Sequence, residues 1–199
     1  MLGVMENPYW HPEEKSHIVN TDDVRLLAFN IFNIVRASLS VAGSRTYAED
    51  EDDEEGDLIT PSDKLHYDYA EVQLSKSLLQ FAVLMRTLDD YWSNYGHEDY
   101  NNKIEEINKV DAVGSFTSEK KTQDLSLREA FNKIIHARDI RLVYGSEDDR
   151  SDPDARWGMD GQIELQGELR GKNWQVVIYI ENLLDTALML IDFVDDLNS

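Results

Sequence analysis

Residues 61–96 read PSDKLHYDYAEVQLSKSLLQFAVLMRTLDDYWSNYG. Apolar side chains recur in this stretch at intervals of three and four residues, from Leu65 to Trp92, which is the spacing of one face of an α-helix. Neither glycine nor proline interrupts the pattern between Ser62, which we expect to cap the helix, and Gly96, which ends it. The stretch therefore predicts one long helix around which the rest of the chain must pack.

The same spacing predicts four further helices, over residues 21–42, 99–111, 127–137 and 181–197. Thr21 is the expected cap of the first of these helices. Ser126 and Glu129 form the S-x-x-E pattern of a capping box, so a helix with the sequence LREAFNKIIHA is expected to begin directly after Ser126. The chain is therefore predicted to be mainly α.

Residues 161–181 alternate between apolar and polar side chains on both sides of Arg170-Gly171-Lys172-Asn173, which predicts a β-hairpin. A short strand is also expected at 138–144, whereas the polar stretch 112–124 is expected to be a loop. Because an isolated hairpin is not stable alone, it must pack on the helices. The predicted fold is a helical bundle of four to five helices with a small C-terminal β-hairpin packed on it, an α+β arrangement.

The domain organisation follows from the same pattern. Residues 1–20 are predicted to be an N-terminal arm, and residues 21–199 a single helical domain. Within that domain, residues 44–61 are expected to be an acidic loop, since EDEDDEEGD at 49–57 carries eight acids and no base.

Composition excludes several classes of function. The chain has no cysteine, so disulfides, thiolate metal sites and cysteine nucleophiles are ruled out. No histidine lies at a metal-binding spacing, and we expect neither a metal nor a cofactor. No apolar run is long enough for a membrane span, and the N-terminus does not resemble a signal peptide, so we expect a cytoplasmic protein without a membrane partner. A net charge of −21 disfavours generic binding to nucleic acid.

Residues 101–145 differ from the rest, since they carry eight Lys/Arg against seven Asp/Glu. Within them, Arg128, Asn132 and His136 recur every four residues and share one stripe of a predicted helix. A guanidinium, an amide and an imidazole in one row can bind an anion and transfer a proton near neutral pH. The stripe is therefore the candidate catalytic site.

Four more residues are candidates for binding at this site. Lys133, Arg138 and Arg141 are near in sequence and would add positive potential, and Trp157 lies in a polar stretch where an aromatic side chain can anchor a partner. The structural alternative is that His136 hydrogen-bonds a neighbouring helix, Asn132 holds a loop carbonyl and Arg128 pairs with an acid.

The segment SLREAFNKIIHA resembles a stretch in uncharacterised bacterial helical proteins, where a similar helix is followed by a hairpin and a last helix. It is also similar to the HEPN superfamily of helical nucleases and toxins. The signature of that family is arginine, a polar residue (often asparagine), three further residues and histidine. Asn132 and His136 match the signature, but the arginine should fall at position 131, where this chain has Phe131.

The resemblance implies a homodimer in which arginine and histidine from two protomers meet and cleave RNA without a metal, in a defence or toxin context. Arg128, one turn before Asn132, is the available substitute for the missing arginine. Two other hypotheses remain open. The chain is either a degenerate relative in which Phe131 marks lost chemistry, or an acidic binding module of the immunity-protein, antitoxin or DNA-mimic type that engages a basic protein partner.

Overall fold

The computed structural model describes residues 19–44, 60–94, 98–110, 112–118, 121–146 and 157–197. The described helices are α1 (Thr21–Ser44), α2 (Pro61–Asn94), α3 (Glu98–Val110), α4 (Leu127–His136) and α5 (Ile180–Leu197). The described strands are β1 (Gly114–Ser118), β2 (Lys121–Asp124), β3 (Asp139–Gly145), β4 (Gly158–Leu169) and β5 (Lys172–Tyr179). The mainly α prediction is confirmed.

The helix starts differ from the predicted caps by one or two residues. The side chain of Asn20, not Thr21, accepts the hydrogen bond from the backbone N–H of Asp22 at 3.0 Å. The hydroxyl of Thr60, not of Ser62, accepts from the backbone N–H of Asp63 at 3.2 Å. The short polar side chain just outside each helix is therefore the one that satisfies a free N–H of the first turn.

The β-structure is larger than the predicted small hairpin. Five antiparallel strands form one sheet in the order β2-β1-β5-β4-β3. The expected hairpin at 161–181 is its centre, with β4 starting earlier, at Gly158, and α5 already beginning at Ile180. The tight turn is Arg170-Gly171, whose positive φ angles of 52° and 78° suit a two-residue hairpin turn.

The expectation of a loop at 112–124 is wrong, because β1 and β2 lie in this segment. β1 pairs with β5, and Gly114 lies so close to the backbone at Val177 that a Cβ atom would overlap the Val177 carbonyl oxygen. Glycine at this position therefore permits β1 to join the sheet. The side chains of β2 are all exposed, so its sequence has no apolar pattern that would predict a strand.

One hydrophobic core joins the helices to one face of the sheet. α1, α4 and α5 all contact β4, whose inward side chains include Ile163 and Leu165, both fully buried. α3 is held on α2 by Tyr100, which is fully buried and stacks on Trp92 at a centroid distance of 6.1 Å. The two helices that matter most for the candidate site, α2 and α4, pack directly on each other.

Two predicted segments fall mainly outside the described residues. They are the N-terminal arm, of which 1–18 are not described, and the acidic loop, of which 45–59 are not described. Within the described part of the chain, no helix has both the length and the apolar character needed to cross a bilayer.

Candidate functional site

α4 carries the candidate catalytic residues, and Ser126 is confirmed as its N-cap. The hydroxyl of Ser126 accepts the backbone N–H of Glu129 at 3.3 Å and donates to the Glu129 carboxylate at 3.2 Å. The buried face of the helix is formed by Leu127, Ala130, Phe131 and Ile134. Because this face packs inward, Arg128 and Asn132 lie at the boundary between α4 and α2.

Phe131 belongs to the core. Its side chain is 1% exposed, and its ring meets that of Phe81 on α2 edge to face, with a centroid distance of 5.9 Å. The position where the HEPN signature has arginine is therefore an interior position in this chain. An arginine here would be taken out of water without a partner within the apolar face, which is unfavourable for a charged group.

Arg128 is held by two carboxylates of α2. One terminal nitrogen contacts the carboxylate of Asp89, and the other donates to Asp90 Oδ1 at 2.7 Å. Burial and the neighbouring Arg86 lower the pKa of Arg128 from its usual value, but an arginine stays charged near neutral pH. Its positive charge is thus already balanced inside the protein.

The two adjacent acids of α2, Asp89 and Asp90, differ in their exposure to solvent. Asp89 is 4% exposed and accepts a hydrogen bond from the hydroxyl of Tyr100 at 3.0 Å. The hydroxyl of Ser93 lies 3.4 Å from the Asp89 carboxylate, and a terminal guanidinium nitrogen of Arg86 lies 3.5 Å from the same carboxylate. A buried carboxylate needs such partners, because water no longer stabilises its charge.

Asn132 joins the same network, since its side-chain oxygen accepts from Arg86 Nε at 2.9 Å. We call the resulting group the α2–α4 ion cluster; its members are Arg86, Asp89, Asp90, Tyr100, Arg128 and Asn132. Two arginines balance two aspartates, so the cluster is neutral overall. Burial raises the pKa of Tyr100, and the Asp90 charge acts in the same direction, which keeps its hydroxyl a hydrogen-bond donor.

His136 does not join the cluster. It is the last residue of α4, its side chain is exposed, and it forms no hydrogen bond or ion pair with any other described residue. The predicted stripe is therefore divided. Arg128 and Asn132 lie in an internal network, while His136 is open to solvent one turn further on.

The predicted binding residues do not form a basic channel. Arg138 donates to Glu168 at 2.6 Å, and Arg141 donates to Asp139 at 2.9 Å. Each of these arginines thus has a carboxylate partner on the sheet. Trp157 is 43% exposed just before β4 and stays a candidate anchor.

Lys133 is half-buried against the sheet. Its ammonium nitrogen lies 4.5 Å from the ring centre of Phe116 and 4.2 Å from that of Trp174. Burial lowers the pKa of Lys133, while Glu129 acts in the opposite direction. The contact with two aromatic faces makes this lysine a link between α4 and the sheet rather than a free cation.

A separate cavity of about 350 Å³ lies between α1, β4 and the start of α5. Its lining includes Arg36, Asp160, Gly161, Tyr179 and Glu181, and Arg36 forms an ion pair with Glu181. Sequence reasoning missed this cavity, because its residues come from distant segments without a shared motif. Among the described residues no group of three or more His, Cys, Asp or Glu side chains is arranged to hold a metal ion.

Comparison of the chain with protein-family models, with curated proteins and with solved structures found no match.

Proposed function

We propose that this chain is a non-catalytic binding module that engages a basic protein through its acidic surface. The observation that carries the proposal is the position of Arg128, whose guanidinium is paired with both Asp89 and Asp90. A nuclease needs its cation to be available to a phosphate, and this cation already has two carboxylate partners. A HEPN-like protein that has lost its catalytic residues would show the same pairing of its arginine with internal carboxylates.

Among the described residues, acidic side chains are concentrated where the start of α1 meets the end of α5. Thr21 donates to Asp195 at 3.0 Å, and Arg25 contacts both Asp192 and Asp195 at 2.7 Å. Arg25 is surrounded in this region by five acids. These acids are Asp22, Asp23, Asp192, Asp195 and Asp196. We call this group the α1–α5 acidic end.

Such a surface selects its partner by charge. Complementary potentials accelerate encounter with a basic protein and repel nucleic acid and other acidic proteins. Eight further acids at 49–57 add to the same net charge of −21. We therefore expect the partner to be a basic protein whose binding weakens strongly as salt increases.

The proposal is tested by affinity capture with the full chain, followed by calorimetry with the recovered basic protein at low and high salt. Neutralising Asp22, Asp23 and Asp196 to asparagine should weaken binding at least several-fold at low salt. The matched control neutralises three exposed acids elsewhere, by Asp68→Asn, Glu98→Gln and Asp99→Asn, and should have a smaller effect. An affinity indifferent to salt, or an equal loss in the control, would contradict the proposal.

A HEPN-like metal-independent RNase is the second candidate, and the observation in its favour is the exposed ring of His136. This proposal requires the wild-type chain to cleave RNA in the presence of EDTA and the His136→Ala variant to be inactive while folded. Absence of cleavage by the wild type, or equal cleavage by both, would exclude the nuclease.

A further inference from the structure

α2 carries a second apolar face that the described fold leaves exposed. Its members are Leu65, Tyr69, Val72, Leu79 and Val83, which are 61%, 55%, 64%, 44% and 44% exposed, together with the exposed Lys76. We call these six residues the outer stripe of α2. Their spacing is four, three, four, three and four residues, which is the alternation of the two core positions in a coiled coil.

The outer stripe lies opposite the side of α2 that forms the core. The buried side of the helix includes Leu74, Leu78, Phe81 and Met85. At about 100° per residue these side chains point roughly 180° away from the stripe. A helix that is apolar on two opposite sides has two surfaces to cover, and the residues that the structure describes cover one of them.

We propose that the outer stripe of α2 packs against the same stripe of a second copy of this chain, with the two helices antiparallel. The stripe is symmetric about Leu74, so one register pairs all six positions. In this register Leu65 lies opposite Val83 of the second copy, Tyr69 opposite Leu79, and Val72 opposite Lys76. A surface that is complementary to itself about a two-fold axis is what an isologous dimer requires.

Charge supports a second copy as the occupant. Between Leu65 and Val83 the charged residues are Asp68, Glu71 and Lys76, so this stretch has a net charge of −1 in a chain with net charge −21. The carboxylate of Glu71 accepts a hydrogen bond from Tyr144 at 2.6 Å. Two strongly acidic proteins can approach each other most easily through a surface that is nearly neutral, whereas a basic partner is attracted to the α1–α5 acidic end.

The central lysine fits this register as well. Lys76 of each copy lies opposite Val72, next to the Tyr69 ring of the other copy, which offers a cation–π contact. The two ammonium groups are offset along the helices rather than placed opposite each other. The stripe is about 27 Å long at 1.5 Å per residue, so the interface is small. We therefore expect a reversible dimer with a dissociation constant of about micromolar order.

This dimer goes beyond the proposed function and does not rest on it. Asp89 is 15 residues from the symmetry centre at Leu74, so the two ion clusters would be about 45 Å apart along the helices. The dimer therefore does not bring the two copies of Arg128 into one composite site. Loss of partner binding and loss of dimerisation can be observed separately.

The first test is light scattering on the full-length chain across a concentration series. The wild type should change from monomer to dimer, while Val72→Glu and Leu79→Glu should each weaken dimerisation at least tenfold. The matched control is Met189→Glu on α5, where the methionine is 51% exposed, and it should dimerise like the wild type. A wild type that is monomeric throughout, or a dimer unaffected by both stripe variants, overturns the proposal.

The second test fixes the orientation, because the chain has no cysteine and a single introduced cysteine reports one position. With a short bismaleimide, a mixture of Leu65→Cys and Val83→Cys chains should cross-link to each other, whereas each alone should not. Cross-linking of Val83→Cys to itself would indicate a parallel pair and overturn the register. A Val72→Cys chain that stays monomeric and resists maleimide would show that the chain's own residues cover the stripe, which also overturns the proposal.

Discussion

The guanidinium of Arg128 contacts the buried carboxylate of Asp89, which is 39 residues earlier in the chain. This contact joins α4 to α2, and through Tyr100 it also includes α3. A side chain predicted to bind an external anion therefore has an internal anion as its partner. The contact has consequences for stability that distinguish a structural arginine from a catalytic one.

Replacing Arg128 by methionine should lower the free energy of unfolding by about 2 kcal/mol, because Asp89 would lose its main counter-charge. The loss should be smaller than for a fully buried pair, since Arg128 is 40% exposed and Arg86 remains 3.5 Å from the same carboxylate. Urea denaturation measures the change. The matched control is Arg138→Met, whose pair with Glu168 is exposed and should contribute less than about 0.5 kcal/mol.

The double variant Asp89→Asn with Arg128→Met should be more stable than the sum of the two single losses predicts. The two side chains interact directly, so their effects should differ from additivity by at least about 0.5 kcal/mol. Additive losses would show that the contact between Arg128 and Asp89 contributes little to the fold.

Introducing the arginine of the HEPN signature at position 131 should unfold the protein rather than activate it. Phe131 is 1% exposed and packs on Phe81, so Phe131→Arg would place a charge in the core and remove an aromatic contact. We expect a loss of at least about 3 kcal/mol, against about 1 kcal/mol for the control Phe131→Leu. Thermal unfolding by circular dichroism measures both. A stable Phe131→Arg variant that cleaves RNA would instead support a degenerate nuclease.

The helices were predictable from the sequence because each buries one face, and that face leaves an apolar residue every three or four positions. α2 follows this rule from Ala70 to Trp92. The strands β1 and β2, in the segment that was expected to be a loop, could not be predicted in the same way. β2 has the sequence KTQD and is exposed throughout, so its pairing depends on β1 rather than on its own apolar pattern.

The candidate site was predictable only in part. Helical spacing placed Arg128 and Asn132 on one stripe, and they do share one network. Their partners Arg86, Asp89 and Asp90 lie on another helix, and a sequence pattern carries no information about which distant charges will meet. The exposure of His136 was likewise undetermined, since the end of a short helix can face either solvent or a neighbouring element.

The partial burial of Lys133 between α4 and the sheet predicts an effect on stability at alkaline pH. Burial lowers the pKa of Lys133 in the folded state below its usual value of 10.5. Below the folded pKa the ammonium is charged in both the folded and the unfolded state, and its burial destabilises the fold. As pH rises toward the unfolded pKa, the folded state releases the proton first, so this destabilisation is lost. Relative to Lys133→Met, the wild type should gain stability over this range. Urea denaturation of both proteins at pH 7 and at stepwise higher pH measures the difference, and a constant difference would contradict the prediction.

Tyr144 should have the opposite pH dependence. Burial raises the pKa of Tyr144, and so does its hydrogen bond to Glu71 at 2.6 Å. A raised pKa means that the stabilisation is fully present below the unfolded pKa of about 10 and is lost as pH rises through the folded value. Tyr144→Phe should therefore lose about 1 kcal/mol at pH 7, where the hydrogen bond is removed, and be less sensitive than the wild type to pH above 10. The same urea series measures this, with Tyr179→Phe on β5 as the control, where the tyrosine is 37% exposed. Parallel pH curves for Tyr144→Phe and the wild type would show that the bond between β3 and α2 does not contribute to folding.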